Sequence, residues 1–473
     1  MRLRSGLVCL TLCLCCFVFV AISFPGSATL SGSAENVDAV IGHSVLAGET
    51  VPGVGHLSWP PHRGVSAAPD SPLGTLIASA AGPQEPTDQR SAIAYTQRFV
   101  QGKQQGTFQV SHEYRVPEHL RSLTVRLPPA ATVTDKSGFS HAGNGTYEWT
   151  GARTAVSLTY RMPANRSYDD GDLRVASGEY AYVDAGEWAI VEQPQPDHHW
   201  TWDEQPVGLE RSVRVAGEGA AGQRMVYFGP YREYTRKAHG QQFRLIVPEA
   251  TALSVGRGAL LDSLAAASDT LRVGDRDDEV FVVAAPTEGV EWQLRGLQRG
   301  PADFWVQADE PLATPENVWL HEYVHTRQGY RLAPDLEWTR EGTAVYYAAL
   351  LSLEQGLVSG DAIRARLDSC ADGEFGASTL SSPDTWEPGA DYCLGALVAS
   401  DLDRRLRLAS DGERSLQTVL RRLNAREQPA AAATFVALLG SVGDGSVAAA
   451  GSLYTMTTER PSPPPSPFRG PGS

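Results

Sequence analysis

The segment His321-Glu322-Tyr323-Val324-His325, followed downstream by Trp338-Thr339-Arg340-Glu341-Gly342, constrains this chain more than any other stretch of its 473 residues. On an α-helix of 3.6 residues per turn, positions i and i+4 stack on one face, so His321 and His325 can turn two imidazole nitrogens toward one point. Imidazoles at this spacing bind a divalent metal, and zinc in reactive sites has three protein ligands and one open position. Glu341 is the expected third ligand. Glu322 projects to the side, where its carboxylate can take a proton from a water activated by the metal. An amphipathic helix with two merely satisfied histidines is the alternative, and the W-x-x-E-G motif is an independent condition that weighs against it.

The residues between the two motifs suffice to end one helix, turn at Gly329 and Pro334, and begin a second helix running back across the first. Ala344, Val345, Ala348, Ala349 and Leu351 give the second helix an apolar face. For the first, Thr314 suits the cap, Pro315 the first helical position and Glu316 the positive end of the helix dipole.

Further along stand Tyr392-Cys393-Leu394-Gly395, Asp401-Leu-Asp-Arg-Arg-Leu-Arg407 and Ser415-Leu-Gln-Thr-Val-Leu-Arg-Arg-Leu423. With these, residues 250 to 425 resemble the gluzincin clan of zinc metallopeptidases, and within it the glycyl aminopeptidase-like proteins and their compact peptidase-like relatives. The resemblance implies a thermolysin-like catalytic domain that binds one Zn2+ per chain and acts on a peptide or protein substrate. It also implies that Tyr392 donates its phenol to the oxygen on which charge develops; the alternative is a packing aromatic beside a cysteine. Two departures stand out. Aminopeptidase relatives carry a glycine-rich strand with an acidic residue that holds the substrate's amino group, and the nearest candidate here is Gly300 to Val306 with Asp303, expected at a sheet edge where an extended peptide can add as a strand. Exopeptidase and endopeptidase action both stay open. Val345 occupies the position where some relatives place an acid that orients a zinc histidine, so that partner must come from elsewhere.

Met1-Arg-Leu-Arg-Ser5 and the apolar run from Leu7 to Phe24 read as a secretory signal cleaved near Ala28 or Ala34, or as an uncleaved membrane anchor. Either places the catalytic part outside the cytoplasm, secreted or at the cell surface. Cys9, Cys13, Cys15 and Cys16 fall in that segment, which leaves Cys370 and Cys393 as a candidate disulfide or a pair of buried thiols. With 55 acidic against 40 basic residues, a net charge of −15 and no basic cluster interleaved with aromatics, nucleic acid is excluded as a partner.

The expected fold class is α+β: an N-terminal β-sandwich-like domain, then the thermolysin-like zinc catalytic domain with a mainly helical C-terminal part. Residues 1–28 form the signal or anchor, and 29–92, rich in Gly, Pro and Ala, a linker or propeptide. Short alternating strands mark 93–250 as the β-rich domain, including Thr107 to Val116, Leu123 to Leu127, Ala155 to Tyr160 and Gln242 to Val247. The metallopeptidase domain covers 251–455, and the proline-rich tail 456–473 is expected to be disordered. His198-His199 reads as a surface or loop pair rather than a second metal site. The rival readings are a non-catalytic binding protein with a relic zinc site and a zinc hydrolase of a non-peptide amide.

Overall fold

The computed structural model describes residues 91–463 apart from 170–171, 204–205 and 374. The expected signal or anchor, the linker up to residue 90 and the last part of the tail lie outside the described residues. Among the described residues no helix is long and apolar enough to cross a membrane.

The fold is α+β. Its N-terminal part is built from a five-stranded sheet, in the order Gly208–Val215, Ala92–Gln101, Thr107–Arg115, Ala155–Pro163, Thr132–Ser137, and a four-stranded sheet formed by Asp197–Trp202, Leu120–Arg126, Thr146–Trp149 and Phe139–Gly143. Alternation decides which side chains meet: Ile93, Tyr95, Phe99, Val110, Val125, Leu158 and Tyr160 point into one shared apolar core. Asn144-Gly145 closes the hairpin between Phe139–Gly143 and Thr146–Trp149 with both residues at positive φ, 48° and 71°, as a tight two-residue turn requires. His198 lies on a strand and hydrogen-bonds Tyr114 Oη at 2.9 Å, so the His198-His199 pair is part of a sheet rather than a loop.

A second four-stranded sheet, Val183–Asp184, Ala189–Glu192, Met225–Phe228 and Gly219–Ala221, is apolar on both faces. Ala189, Val191, Val226 and Phe228 join the N-terminal core. Ile190, Met225 and Tyr227 face the opposite way, against Ile246, Phe281, Val283 and Trp305 of a further sheet.

That further sheet positions the site. Its order is Tyr231–Ala238, Gln241–Pro248, Glu279–Ala285, Asp303–Gln307, Gly296–Arg299, with Glu279–Ala285 in parallel register between Gln241–Pro248 and Asp303–Gln307. Gln242 to Val247, grouped by its alternation with the N-terminal strands, therefore belongs here. Because both faces are covered, Glu279–Ala285 reads as an unbroken apolar run. Val280, Val282 and Ala284 face the helices, and Phe281, Val283 and Ala285 face the β layers. Within the expected edge segment Gly300 to Val306, the strand residues from Asp303 onward are interior; the free edge on that side is Gly296–Arg299, which pairs antiparallel with Asp303–Gln307, and the opposite edge is Tyr231–Ala238.

The helices are α1 (Arg257–Thr270), α2 (Val318–His325), α3 (Trp338–Glu354), α4 (Gly360–Ala371), α5 (Ala390–Leu408), α6 (Leu416–Asn424), α7 (Ala432–Val442) and α8 (Gly445–Met456). α2 begins later than its sequence suggests. Asn317, buried, caps it by accepting from the Leu320 amide at 3.1 Å and donates to Leu312 O and Ser352 Oγ, bonds that Thr314 is not placed to make. Glu316 pairs instead with Arg366 at 2.7 Å and Arg295 at 3.5 Å. The first residues of the tail are not loose: Arg460 donates to the Phe375 carbonyl and Pro461 is buried.

Candidate active site

α2 presents its two histidines by the i, i+4 rule, and α3 brings Glu341 across to them in its first turn. His321 Nε2 and His325 Nε2 stand 3.0 Å apart, and Glu341 Oε2 lies 3.3 Å from the first and 3.2 Å from the second. These three residues are the group among the described residues that could hold a metal ion. Tetrahedral zinc with bonds of about 2.0–2.1 Å holds its ligand atoms about 3.3 Å apart, which this near-equilateral triangle matches. The donor set suits a cation, since three atoms with lone pairs converge in a buried place.

The second ring nitrogen of His325 fixes which atom faces the metal position. His325 Nδ1 is 2.8 Å from Gln328 Oε1, and Gln328 Nε2 donates to Arg340 O at 3.0 Å and Thr343 Oγ1 at 2.9 Å. With the amide so oriented, Nδ1 carries the proton and Nε2 offers its lone pair. Gln328 is thus the orienting partner that Val345 could not supply. Sequence offered one slight signal for it, a polar residue one turn beyond His325 just past the helix end. The charges of His325 and Glu341 are also coupled. Burial alone would lower His325, but the facing Glu341 carboxylate outweighs it and raises the imidazole. For Glu341, burial alone raises the carboxyl, yet the two imidazoles hold it well below the usual range.

Glu322 lies between α2 and the free sheet edge. Burial pushes its carboxyl up to about 8, against the pull of His325 and a hydrogen bond from the Gln298 backbone amide and with a further push from Glu341. A Cβ on Gly296 would stand 2.8 Å from both Cγ and Oε1 of Glu322, so glycine is what lets the edge strand lie against this carboxylate. A buried carboxyl in this range can take up and return a proton near neutral pH.

Tyr392, in the first turn of α5, stacks on His321 with ring centroids 6.0 Å apart and planes 13° from parallel, and its phenol hydrogen-bonds to Glu341. The crossing of α3 and α5 explains both motifs that contain glycine. Added at Gly342, a Cβ would fall 2.5 Å from Gly395 Cα and C; added at Gly395, it would fall 2.8 Å from Gly342 Cα. Only this backbone approach sets Glu341 and Tyr392, neighbours of those glycines, beside one another. Cys393 is bonded to Cys370, with Cα atoms 5.2 Å apart, which ties α4 to the turn carrying Tyr392.

Asp303 is not placed to meet a substrate amine. It is buried in an interior strand, where its Oδ2 accepts from the amides of Arg224 at 2.7 Å and Met225 at 2.8 Å.

No protein-family model and no curated protein matches the chain. Among solved structures, an M1 zinc metallopeptidase from Deinococcus radiodurans is similar with a TM-score of 0.51, and a mutant of it bound to a Tyr-Ser-Ala substrate with 0.52. Both are 16% identical to this chain, and each comparison covers 79% of it and 96% of the other chain. At this identity the likeness shows the fold, which is that of M1 zinc metallopeptidases.

Proposed function

We propose that the chain is an exported zinc-dependent metallopeptidase with an N-terminal β-domain and a thermolysin-like catalytic domain. The observation that carries this reading is the buried triangle of His321, His325 and Glu341 with the Glu322 carboxylate beside it. Zinc held there would polarise the scissile carbonyl and make water acidic enough to attack at neutral pH. Glu322 removes the proton from that water and returns it to the leaving amine, a shuttle for which its raised affinity for protons is suited. Tyr392 turns its phenol O–H from Glu341 to the carbonyl oxygen as charge develops there. Gln328 keeps the His325 ring in one orientation throughout. The sheet edge Gly296–Arg299, against which Glu322 lies, has no strand paired on its outer side among the described residues, so an extended peptide can add there. Export is supported by the N-terminal basic and apolar segments and by the Cys370–Cys393 disulfide, a bond that persists in oxidising compartments.

The test is zinc analysis of the purified full chain together with cleavage of a mixed peptide library, for wild type, Glu322→Gln and His325→Ala. The expected result is one zinc and peptide cleavage in wild type, zinc without cleavage in Glu322→Gln, and loss of zinc in His325→Ala. Full activity in zinc-loaded Glu322→Gln would remove the base assignment, and a wild type that binds no zinc would end the metallopeptidase reading. The positions of the cuts decide exopeptidase against endopeptidase.

A further inference from the structure

The free edge of the site's sheet consists of Gly296, Leu297, Gln298 and Arg299, and it carries no carboxylate. Successive side chains on a strand point to opposite faces. Gly296 faces Glu322, and the Gln298 amide hydrogen-bonds to that carboxylate. Leu297 packs on the other face with Tyr168 and Tyr182, so Arg299 stands on that face, one residue from the amide that touches Glu322.

Three guanidinium groups gather there around one carboxylate. Arg299 Nε donates to Glu192 Oε1 at 2.6 Å, and its guanidinium lies 5.7 Å from the centroid of the Tyr168 ring. Arg224, whose side chain crosses Gly300, reaches the same Glu192 oxygen only at 3.8 Å. Arg166 is within electrostatic reach of Glu192 and Arg299, and burial together with Arg299 holds it below its ordinary value despite the opposing Glu192. Arg299 and Arg224 thus share a single oxygen of Glu192. The cluster has unused donors as well. Among the described residues, Arg166 Nε, Arg224 Nε and the fully buried Tyr182 hydroxyl are buried without a hydrogen-bond partner. Buried donors left without partners are costly and are nearly always paired in a finished structure. Arg299 and Arg224 keep 18% and 34% of their side-chain surface in contact with solvent, so a ligand can reach them.

We propose that Arg299, with Arg166, Arg224 and the Tyr182 hydroxyl, forms a carboxylate-binding subsite through which the enzyme selects peptides bearing an anionic group close to the bond it cuts. The inference rests on the peptidase reading above. Guanidinium groups match a carboxylate with paired, charge-assisted hydrogen bonds, whether it belongs to an acidic side chain or to a peptide C-terminus.

The test is calorimetric binding of two matched peptide pairs to the zinc-loaded, full-length Glu322→Gln variant. One pair differs by Glu against Gln within an end-blocked peptide, the other by a free C-terminal acid against the amide. The carboxylate member of one pair is expected to bind at least about tenfold tighter, and the pair that responds identifies the source of the carboxylate. Adding Arg299→Gln should bring the affinities within that pair together. Arg224→Gln serves the same purpose should loss of the Glu192 partner unfold the first variant. Equal affinities within both pairs would overturn the subsite. Cleavage by wild type is scored separately: cleavage without binding preference sinks the subsite alone, and binding preference without cleavage of any peptide sinks the peptidase reading alone.

Discussion

Replacing Gly342 by alanine tests whether the α3–α5 crossing is what assembles the site. The new methyl group would stand 2.5 Å from Gly395 Cα and C and 3.0 Å from Asp391 O, all backbone atoms that cannot rotate away. Restoring an ordinary carbon contact of about 3.5–4.0 Å requires the helices to separate by roughly 1 Å. Overpacking of this kind costs about 1–3 kcal/mol, and contact with rigid backbone puts this case at the upper end. Alanine's better helix propensity returns up to about 1 kcal/mol, which leaves a net loss of about 2 kcal/mol. For a folded unit of this size the melting temperature then falls by roughly 2–3 °C. The same separation moves Glu341 relative to two imidazoles that it now meets at 3.2 and 3.3 Å, so zinc affinity should fall along with stability. Calorimetry and competitive zinc titration read the two effects, and Gly258→Ala in α1 is the control, because nothing lies within 4 Å of a Cβ at that position. Gly342→Ala with the stability and zinc affinity of the control would refute the argument.

Two more outcomes follow from the same geometry. Gln328→Ala removes the acceptor 2.8 Å from His325 Nδ1 and the donor to Arg340 O and Thr343 Oγ1, so zinc affinity should drop by about 10–100-fold and stability by about 1–3 kcal/mol; unaltered affinity would show that the ring is oriented by other means. Replacing Cys370 and Cys393 together by serine opens a link across a sequence separation of 23 residues and should cost about 3 kcal/mol in guanidinium unfolding. A loss under about 1 kcal/mol would show that the loop is held by its packing alone.

Local periodicity alone determined a good deal. That His321 and His325 share a face depends on the pitch of a single helix, and the strands at Thr107–Arg115 and Ala155–Pro163 needed only their alternation. The meeting of Glu341 with those histidines was legible because the turn between two adjacent helices leaves few ways to pack them. What required the tertiary structure involves partners far apart in sequence. Whether Asp303 or Arg299 lies at the free edge depends on which strands pair, and pairing is set by contacts across the sheet that no alternation pattern encodes. Asn317 displaced Thr314 as the cap of α2 because its amide also bonds Ser352, a residue on α3. The glycines at 342 and 395 stood out as motif positions, but why glycine is needed there emerged only from the two helices that touch through them. The arginines at 166, 224 and 299 come from three separate strands or turns, and they form one cluster around Glu192 only because the β layers fold down onto the sheet that holds the site.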